Sequence, residues 1–378
     1  AEVLDRSGVL EQVGGLDALL SLQVNTPATS NAATYARIIH ERHTLRRLIE
    51  VANRISEIGY SRPDDVVKAV DEAENMIFQV AQGRDIDTLV DIRDLLDITL
   101  DSIEKRVENR GRVTGTPTGF VDLDDLLSGL QPNALVIVGA RPSMGKTAFA
   151  LGLAAHAAVR EGRPVLLFSL EMSHLEITQR LLAAEANVDA KGLRDGDLDE
   201  SDWTRISKAL GRLSDAPIWI DDNPNLTVME IRAKARRLQS KVGSLGMVVV
   251  DYLQLMTGRS SAENRQVEVA EISRGLKILA RELECPVVGL SQLSRNLESR
   301  QDKRPILADL RESGSIEQDA DVVMFIYRDE VYHPGDPETE GKAEIIVAKH
   351  RSGPTGTIEL AWLPRYTAFR NFSRRAEY

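Results

Sequence analysis

Leu135-Val136-Ile137-Val138-Gly139-Ala140-Arg141-Pro142-Ser143-Met144-Gly145-Lys146-Thr147 is the stretch that decides how this chain is read. Four apolar β-type residues run into a turn from Gly139 to Gly145, and a helical pattern opens at Lys146. A strand, a glycine-bearing turn and a helix N-terminus aim backbone N–H groups at one point, where a phosphate fits. Lys146 would neutralise the β- and γ-phosphates of ATP, and the Thr147 hydroxyl would bind Mg²⁺. Ser143 and Gly145 in the turn, with Lys146, Thr147 and Ala148 at the helix start, are the positions expected to touch the nucleotide. Counted back from Gly145, the first glycine of the usual G-x-x-x-x-G-K-[ST] pattern is Ala140 here, a small departure.

A phosphate loop of this kind needs a second group for the metal. Val248-Val249-Val250-Asp251 is an apolar strand ending in an acid, where that carboxylate belongs. Trp219-Ile220-Asp221-Asp222 competes on the same grounds, but the Asn223-Pro224 that follows reads better as a strand-end turn. Asp251 is the preferred metal-side acid. Glu171 ends a third apolar run, Val165 to Leu170, and an acid at that mouth could orient the attacking water. Its other reading is a helix-entry carboxylate, since Ser173 and Glu176 just beyond have capping-box spacing.

Outward from the loop, apolar β-type runs at 134–139, 164–170, 217–221, 247–251, 286–291, 321–327, 343–348 and 358–363 follow one another through the rest of the chain. Helical patterns fall between the earlier ones, and the later ones lie closer together. The expectation is an α/β motor domain over 119–378 with a mainly parallel sheet, helices on both faces and an antiparallel edge.

Toward the front the pattern is all helical. Ile38, Leu45 and Ala52, with Leu48 and Ile55 between them, form one stripe closed by Gly59. Pro63, Asp64 and Asp65 open a second helix whose stripe is Val66, Val70, Ala73, Ile77 and Val80. These two narrow stripes predict a hairpin that needs a partner. After a polar joint at Gln82 to Asp85, Leu89, Ile92, Leu96, Leu100, Ile103 and Val107 mark a third amphipathic helix. It could pack on its own motor domain or dock on a neighbour. Gly111 to Gly119 is the strongest boundary by composition. The expected division is a helical domain over 1–82, a linker with its helix over 83–118, and the motor domain over 119–378.

Composition sets the limits. Hydrophobic residues at 42% and charged residues at 28% are ordinary for a globular protein. No run of about 18 apolar residues exists, so no membrane span is expected. The chain starts Ala1-Glu2-Val3-Leu4-Asp5, without a start Met or a basic-then-apolar leader. That start argues against a signal peptide and suggests that more chain precedes it in nature. The single cysteine, Cys285, rules out an internal disulfide framework, and cytoplasm is the expected compartment. A net charge of −11 looks wrong for a nucleic-acid binder. However, residues 1–110 carry 20 acidic against 13 basic side chains, leaving 38 against 34 in residues 111–378. Any DNA contact must therefore be a local basic strip on a folded surface.

Taken together, the loop at 139–147, Phe168-Ser169-Leu170-Glu171-Met172, Asp251-Tyr252-Leu253-Gln254-Leu255-Met256, Leu290-Ser291-Gln292-Leu293 and the long run from Asp309 to Asp321 make the chain resemble the DnaB-type replicative helicases. The last motif (Asp309-Leu310-Arg311-Glu312-Ser313-Gly314-Ser315-Ile316-Glu317-Gln318-Asp319-Ala320-Asp321) is the most specific, because general phosphate-loop chemistry does not demand it. The resemblance spans essentially the whole chain. The hairpin at 33–82 and the helix at 88–108 resemble the family's collar hairpin and linker helix, and residues 1–32 match only the tail of the helical bundle that precedes them.

The resemblance implies roles that the spacing alone does not. Glu171 would be the catalytic carboxylate and Asp251 the Mg²⁺-side acid. Gln292, otherwise a polar residue leaving a strand, would sense the γ-phosphate. Arg180 would lie near the adenine; its plainer reading is a surface salt-bridge arginine. Lys349 and Arg351 would reach the ATP of the adjacent subunit, which requires a ring, and the family is hexameric. Arg311, Glu312 and Gly314 match its DNA-gripping loop, with Glu312 positioning Arg311 and Gly314 letting an amide approach phosphate. The basic run Arg295 to Arg304 and the loop around Arg259 and Arg265 are weaker DNA candidates, a solvated face being their plain reading. Aromatics at 4% of the chain, not interleaved with these basic stretches, favour a sequence-blind grip on backbone over base stacking. The implied activity is ATP-driven 5′ to 3′ movement on single-stranded DNA and fork unwinding, with primase and a helicase loader as partners. Another RecA-like ring ATPase, of recombinase or clock type, and an ATP-binding assembly platform are the alternatives.

Overall fold

The computed structural model describes residues 32–63, 91–108, 113–256, 265–310 and 314–372, with single positions between 66 and 80. The chain divides into two compact units, Ala1–Ile103 and Glu104–Tyr378.

In the first unit, helix α1 spans Ala32–Tyr60. It runs one residue past Gly59 and then stops. The Ser61 N–H donates to the Glu57 carbonyl at 2.9 Å, the Ser61 hydroxyl donates to the Ile58 carbonyl at 2.8 Å, and Arg62 turns left-handed at φ 49° ahead of Pro63. Most of the second hairpin helix and the joint at 82–85 lie outside the described residues, although Val66, Ala73, Ile77 and Val80 are helical. Helix α2 spans Ile92–Glu108 and crosses the boundary between the units. Ile38, Leu45 and Leu48 on α1, and Leu96, Leu100 and Ile103 on α2, are exposed.

The second unit is built on a nine-stranded sheet in the order β3-β2-β4-β5-β1-β6-β7-β8-β9. Six strands are parallel: β1 (Leu135–Ala140), β2 (Val165–Ser169), β3 (Ile218–Asp221), β4 (Met247–Asp251), β5 (Val287–Gln292) and β6 (Val322–Tyr327). Three complete an antiparallel edge: β7 (Lys342–His350), β8 (Gly356–Leu363) and β9 (Ala368–Asn371). The helices are α3 (Val121–Leu127), α4 (Lys146–Ala155), α5 (His174–Ala186), α6 (Ala190–Asp195), α7 (Glu200–Ser214), α8 (Val228–Val242), α9 (Arg265–Leu283) and α10 (Gly314–Asp319).

Every residue of β1 is buried, and the two-residue period of a strand sends alternate side chains into two different cores. Val136 and Val138 join Leu123, Phe149 and Leu153, whereas Leu135 and Ile137 join Ile231, Leu276 and Leu279. Burial of an aliphatic side chain stabilises by about 1.5–3 kcal/mol, so a polar substitution in β1 would cost about that much in whichever of the two layers it faces. The central strands are thereby fixed, and their carboxyl ends form one rim.

Candidate active site

That rim carries the chemistry. Ala140 at the end of β1 pairs with Gln292 at the end of β5, and Ser169 at the end of β2 pairs with Asp251 at the end of β4. Open α/β sheets bind ligands beyond the carboxyl ends of their strands, because the loops there leave the sheet in different directions.

From Ala140 the chain turns through Ser143, left-handed at φ 68°, to Gly145 at φ 97°. Gly145 precedes the first turn of α4, and its carbonyl accepts the Phe149 N–H at 2.9 Å. A Cβ on Gly145 would stand 2.9 Å from the Phe369 ring and 3.2 Å from Trp362, so both conformation and space require glycine. Two arginines hold the loop from behind. Buried Arg328 donates from Nη1 to the Ser143 carbonyl at 2.9 Å, ion-pairs with Glu330 and lies over Trp362. Buried Arg141 donates from Nη1 to the Leu293 carbonyl at 2.9 Å and from Nη2 to Glu298 at 2.6 Å. It ties the loop to the segment beyond β5.

At the start of α4, Thr147 Oγ1 donates to Asp251 Oδ2 at 2.6 Å. Lys146 Nζ lies 3.4 Å from Asp251 Oδ1 and 4.0 Å over the Tyr252 ring. Burial lowers the Lys146 pKa, opposed by the charges of Asp251 and Glu171. Burial likewise raises the Tyr252 phenol, assisted by those same two carboxylates. Asp251 is buried, yet its Oδ1 accepts no hydrogen bond among the described residues. The Lys146 ammonium, 3.4 Å away, is the charge that this oxygen already faces, and a metal ion could share it. A hydroxyl, a carboxylate and the phosphates of a nucleotide are hard oxygen donors of the kind Mg²⁺ takes, and Mg²⁺ is usually bound by one or two carboxylates plus substrate. Among the described residues no group of three or more His, Cys, Asp and Glu could form a dedicated metal cage.

Glu171 stands exposed two residues beyond β2. The capping box of α5 is built by Ser173 and Glu176 instead: Ser173 Oγ accepts the Glu176 N–H, and Glu176 Oε2 accepts the Ser173 N–H at 2.9 Å. Asp221 is engaged by Lys234 at 2.5 Å, and Asp222 by His174, so the competing acid pair serves α8 and α5 rather than the loop. Arg180 is exposed on α5, where its charge acts on Glu176 one turn earlier; no bond among the described residues brings it to the loop.

Lys349 and Arg351 are at the other end of the sheet. Lys349 pairs with Val323 near the start of β6, and the Arg351 N–H donates to the Asp321 carbonyl at 2.8 Å. Their side chains meet the last carbonyls of α10, where cations suit the helix dipole: Lys349 Nζ donates to Glu317, and Arg351 Nη2 to Gln318 at 3.0 Å. Asp321 also receives Arg351 Nη1 at 3.2 Å, Lys277 at 2.6 Å and the Leu135 N–H at 2.8 Å. Burial, then the neighbouring Arg351 charge, lowers the Lys349 pKa.

Arg311, Glu312, Ser313 and Arg259 lie outside the described residues, as does the side chain of Arg265. Gly314 opens α10, and a Cβ there would meet nothing within 4 Å. In the basic run, Arg300 pairs with Asp309 at 2.6 Å and Arg304 makes a two-pronged pair with Glu344 at 2.6 and 2.8 Å. Both are tied to their own domain, and Arg295 remains exposed. No local pattern gives Arg328 or Gln254 a role, and Arg141 has none in the sequence beyond its place in the loop. Only the partners brought by folding single them out.

The profile of the DnaB-like helicase C terminal domain matches residues 115–371. The chain is 50% identical over 373 residues to the replicative DNA helicase DnaB of Geobacillus stearothermophilus, covering 98% of this chain and 82% of that protein. It is 49% identical over 375 residues to the replicative DNA helicase DnaC of Bacillus subtilis (strain 168), with the same coverages, 98% and 82%. Among solved structures, a DnaB-like replicative helicase described with its interactions with primase aligns at a TM-score of 0.73 and 36% identity, over 98% of this chain and 87% of that one. A solved ATPase domain aligns at a TM-score of 0.69 and 41% identity, over 73% of this chain and 98% of that one.

Proposed function

The chain belongs to the DnaB family of replicative DNA helicases, and from that premise we propose how its residues divide the work. It is an ATP-dependent DNA helicase with a RecA-like motor domain. The proposed division is a collar domain over 1–82, a linker over 83–118 and the motor over 119–378. Ser143, Gly145 and Ala148 present backbone to the phosphates of ATP, and Lys146 neutralises them. Thr147 and Asp251 would hold Mg²⁺, which when bound spreads the developing phosphate charge. Glu171 orients the attacking water, and Gln292 senses the γ-phosphate through its amide. Arg180 lies near the base.

The observation that carries this reading is the separation of two half-sites. Lys146, Thr147 and Asp251 gather at the carboxyl ends of the strands, whereas Lys349 and Arg351 sit at the amino ends. The second pair cannot serve its own loop, so it acts on a neighbour's nucleotide in a hexameric ring. Arg311, Glu312 and Gly314 grip single-stranded DNA by its backbone. The open space at Gly314 supports that role, since among the described residues nothing lies within 4 Å of a Cβ built there. The ring moves 5′ to 3′ and excludes the other strand. Primase, a helicase loader and a cytoplasmic setting complete the proposal. Among the described residues no helix is long and apolar enough to cross a membrane.

A fork-unwinding assay with the full chain and Mg-ATP tests the whole reading. Strand separation is expected only with hydrolysable nucleotide and a 5′ single-stranded arm. Turnover without separation, on a ring shown to encircle DNA, would refute the motor. Full function after Glu171→Gln would favour an assembly platform.

A further inference from the structure

We propose that Gln254 is a positioning residue that clamps the backbone of Gln292 and ties it to the turn that follows β4. The proposal rests on the reading of Gln292 as the γ-phosphate sensor.

Gln254 lies in the 3₁₀ turn Leu253–Leu255, just beyond Asp251. Its carboxamide is used from both ends. Nε2 donates to Ser291 Oγ at 2.8 Å and to the Gln292 carbonyl at 3.1 Å, while Oε1 accepts the Gln292 N–H at 3.2 Å. A carboxamide donates from its nitrogen and accepts at its oxygen, which a carboxylate or an aliphatic side chain cannot do. The backbone ladder between β4 and β5 runs from Val248 to Val250 against Val287 to Gly289 and then stops. Beyond that point the Gln254 side chain does what the ladder no longer does. On its other side Gln292 pairs with Ala140, and the Leu293 N–H donates to the Ala140 carbonyl at 3.1 Å. The sensor's backbone is therefore held between the strand that feeds the phosphate loop and one side chain from the turn after β4.

The turn itself is stiff. Leu253 and Met256 on either side of Gln254 are buried, and a Cβ built on Gly289 would stand 3.2 Å from Leu253, so the turn is seated directly on β5. A change in the backbone of Gln292 when the γ-phosphate departs would break or remake the two hydrogen bonds that it shares with Gln254.

The test is Mg-ATP turnover of the full-chain ring with and without oligo-dT, for Gln254→Ala, Gln254→Glu and Gln292→Ala. Gln254→Ala is expected to cut kcat with DNA about tenfold, while the KM for ATP and the Kd for oligo-dT in a non-hydrolysable analogue move less than about threefold. Gln254→Glu keeps the acceptor but turns a carboxylate oxygen toward the Gln292 carbonyl, so it should do no better than Ala. The double variant should be no worse than Gln292→Ala alone, since coupled residues are not additive. Normal DNA stimulation in Gln254→Ala, with stimulation lost in Gln292→Ala, would overturn the clamp and leave the sensor standing. Normal stimulation in Gln292→Ala would remove the sensor and the clamp with it. An additive double variant, or an equal loss of kcat, nucleotide affinity and melting temperature in Gln254→Ala, would reduce Gln254 to a packing residue.

Discussion

The Thr147 hydroxyl donates to Asp251 Oδ2 across 2.6 Å, joining the first turn of α4 to the end of β4. These residues come from segments about a hundred positions apart, and both are proposed to face the same cation. The bond holds their oxygens together before any metal arrives. Lys146, beside them, is the only charged side chain at the start of α4. Lys146→Ala should lower ATP turnover by at least about a hundredfold, the scale seen when a preorganised charge is removed from a transition state. Undiminished phosphate release from that variant would refute the site.

Arg351→Ala should bind nucleotide nearly as wild type and lose hydrolysis in the ring, since its partners in the chain are Gln318 and Asp321 and not the loop. Mixing it with Lys146→Ala subunits should restore some turnover, because an intact loop then meets an intact cation at some interfaces. No recovery in rings shown by mass spectrometry to be mixed would count against action between subunits.

Arg311→Ala should weaken single-stranded DNA binding alike for every sequence. The slope of log affinity against log salt should fall by about 0.7 for every phosphate that this arginine neutralises. A weakening confined to certain sequences in a fluorescence titration would contradict backbone gripping.

Gly145→Ala forces a side chain into φ 97° and against Phe369. The left-handed backbone alone costs about 1–2 kcal/mol, and the clash with the ring adds to it. Nucleotide binding should fall and the melting temperature should drop; an unchanged isotherm by calorimetry would show that the loop tolerates more than its geometry implies.

Burial pushes the Cys285 thiol up to about 12. At pH 8 only about one folded molecule in ten thousand then carries a thiolate, so maleimide should label Cys285 only after denaturant is added. The sign for stability follows. Between the usual thiol range and 12 the unfolded chain holds fewer protons than the folded one. This group therefore subtracts stability as pH rises, and Cys285→Ala should flatten the alkaline limb of the melting curve. Rapid labelling of native protein would place the thiol at the surface.

Much of this architecture was legible because buried parallel strands announce themselves as apolar runs. Eight were expected and all eight formed, with ends shifted by no more than two residues. β9 escaped because Ala368-Phe369-Arg370-Asn371 is four residues long and takes its stability from elsewhere: Phe369 sits 4.7 Å from Trp362 and 5.7 Å from Phe149 between ring centres. The same limit hid the supports of the phosphate loop. Lys146 and Thr147 are readable since chemistry fixes their spacing along the chain. Arg328 reaches Ser143 across 185 positions, and no local pattern predicts such a meeting. Charge was misleading in a similar way. Arg300 and Arg304 look like a nucleic-acid strip until Asp309 and Glu344 arrive from other segments.

The placement of Lys349 and Arg351 at one pole of the sheet and of Gly145 to Thr147 at the other has an arithmetic consequence. On the proposed action between subunits, a row of copies stacked head to tail would own one fewer working centre than it has members, with an idle pair of cations at one tip and an unanswered loop at the opposite tip. Sealing the circle supplies the missing centre without adding protein. On that proposal turnover per chain would count closed seams, and a gap opened to admit a strand would silence one engine while the others keep running.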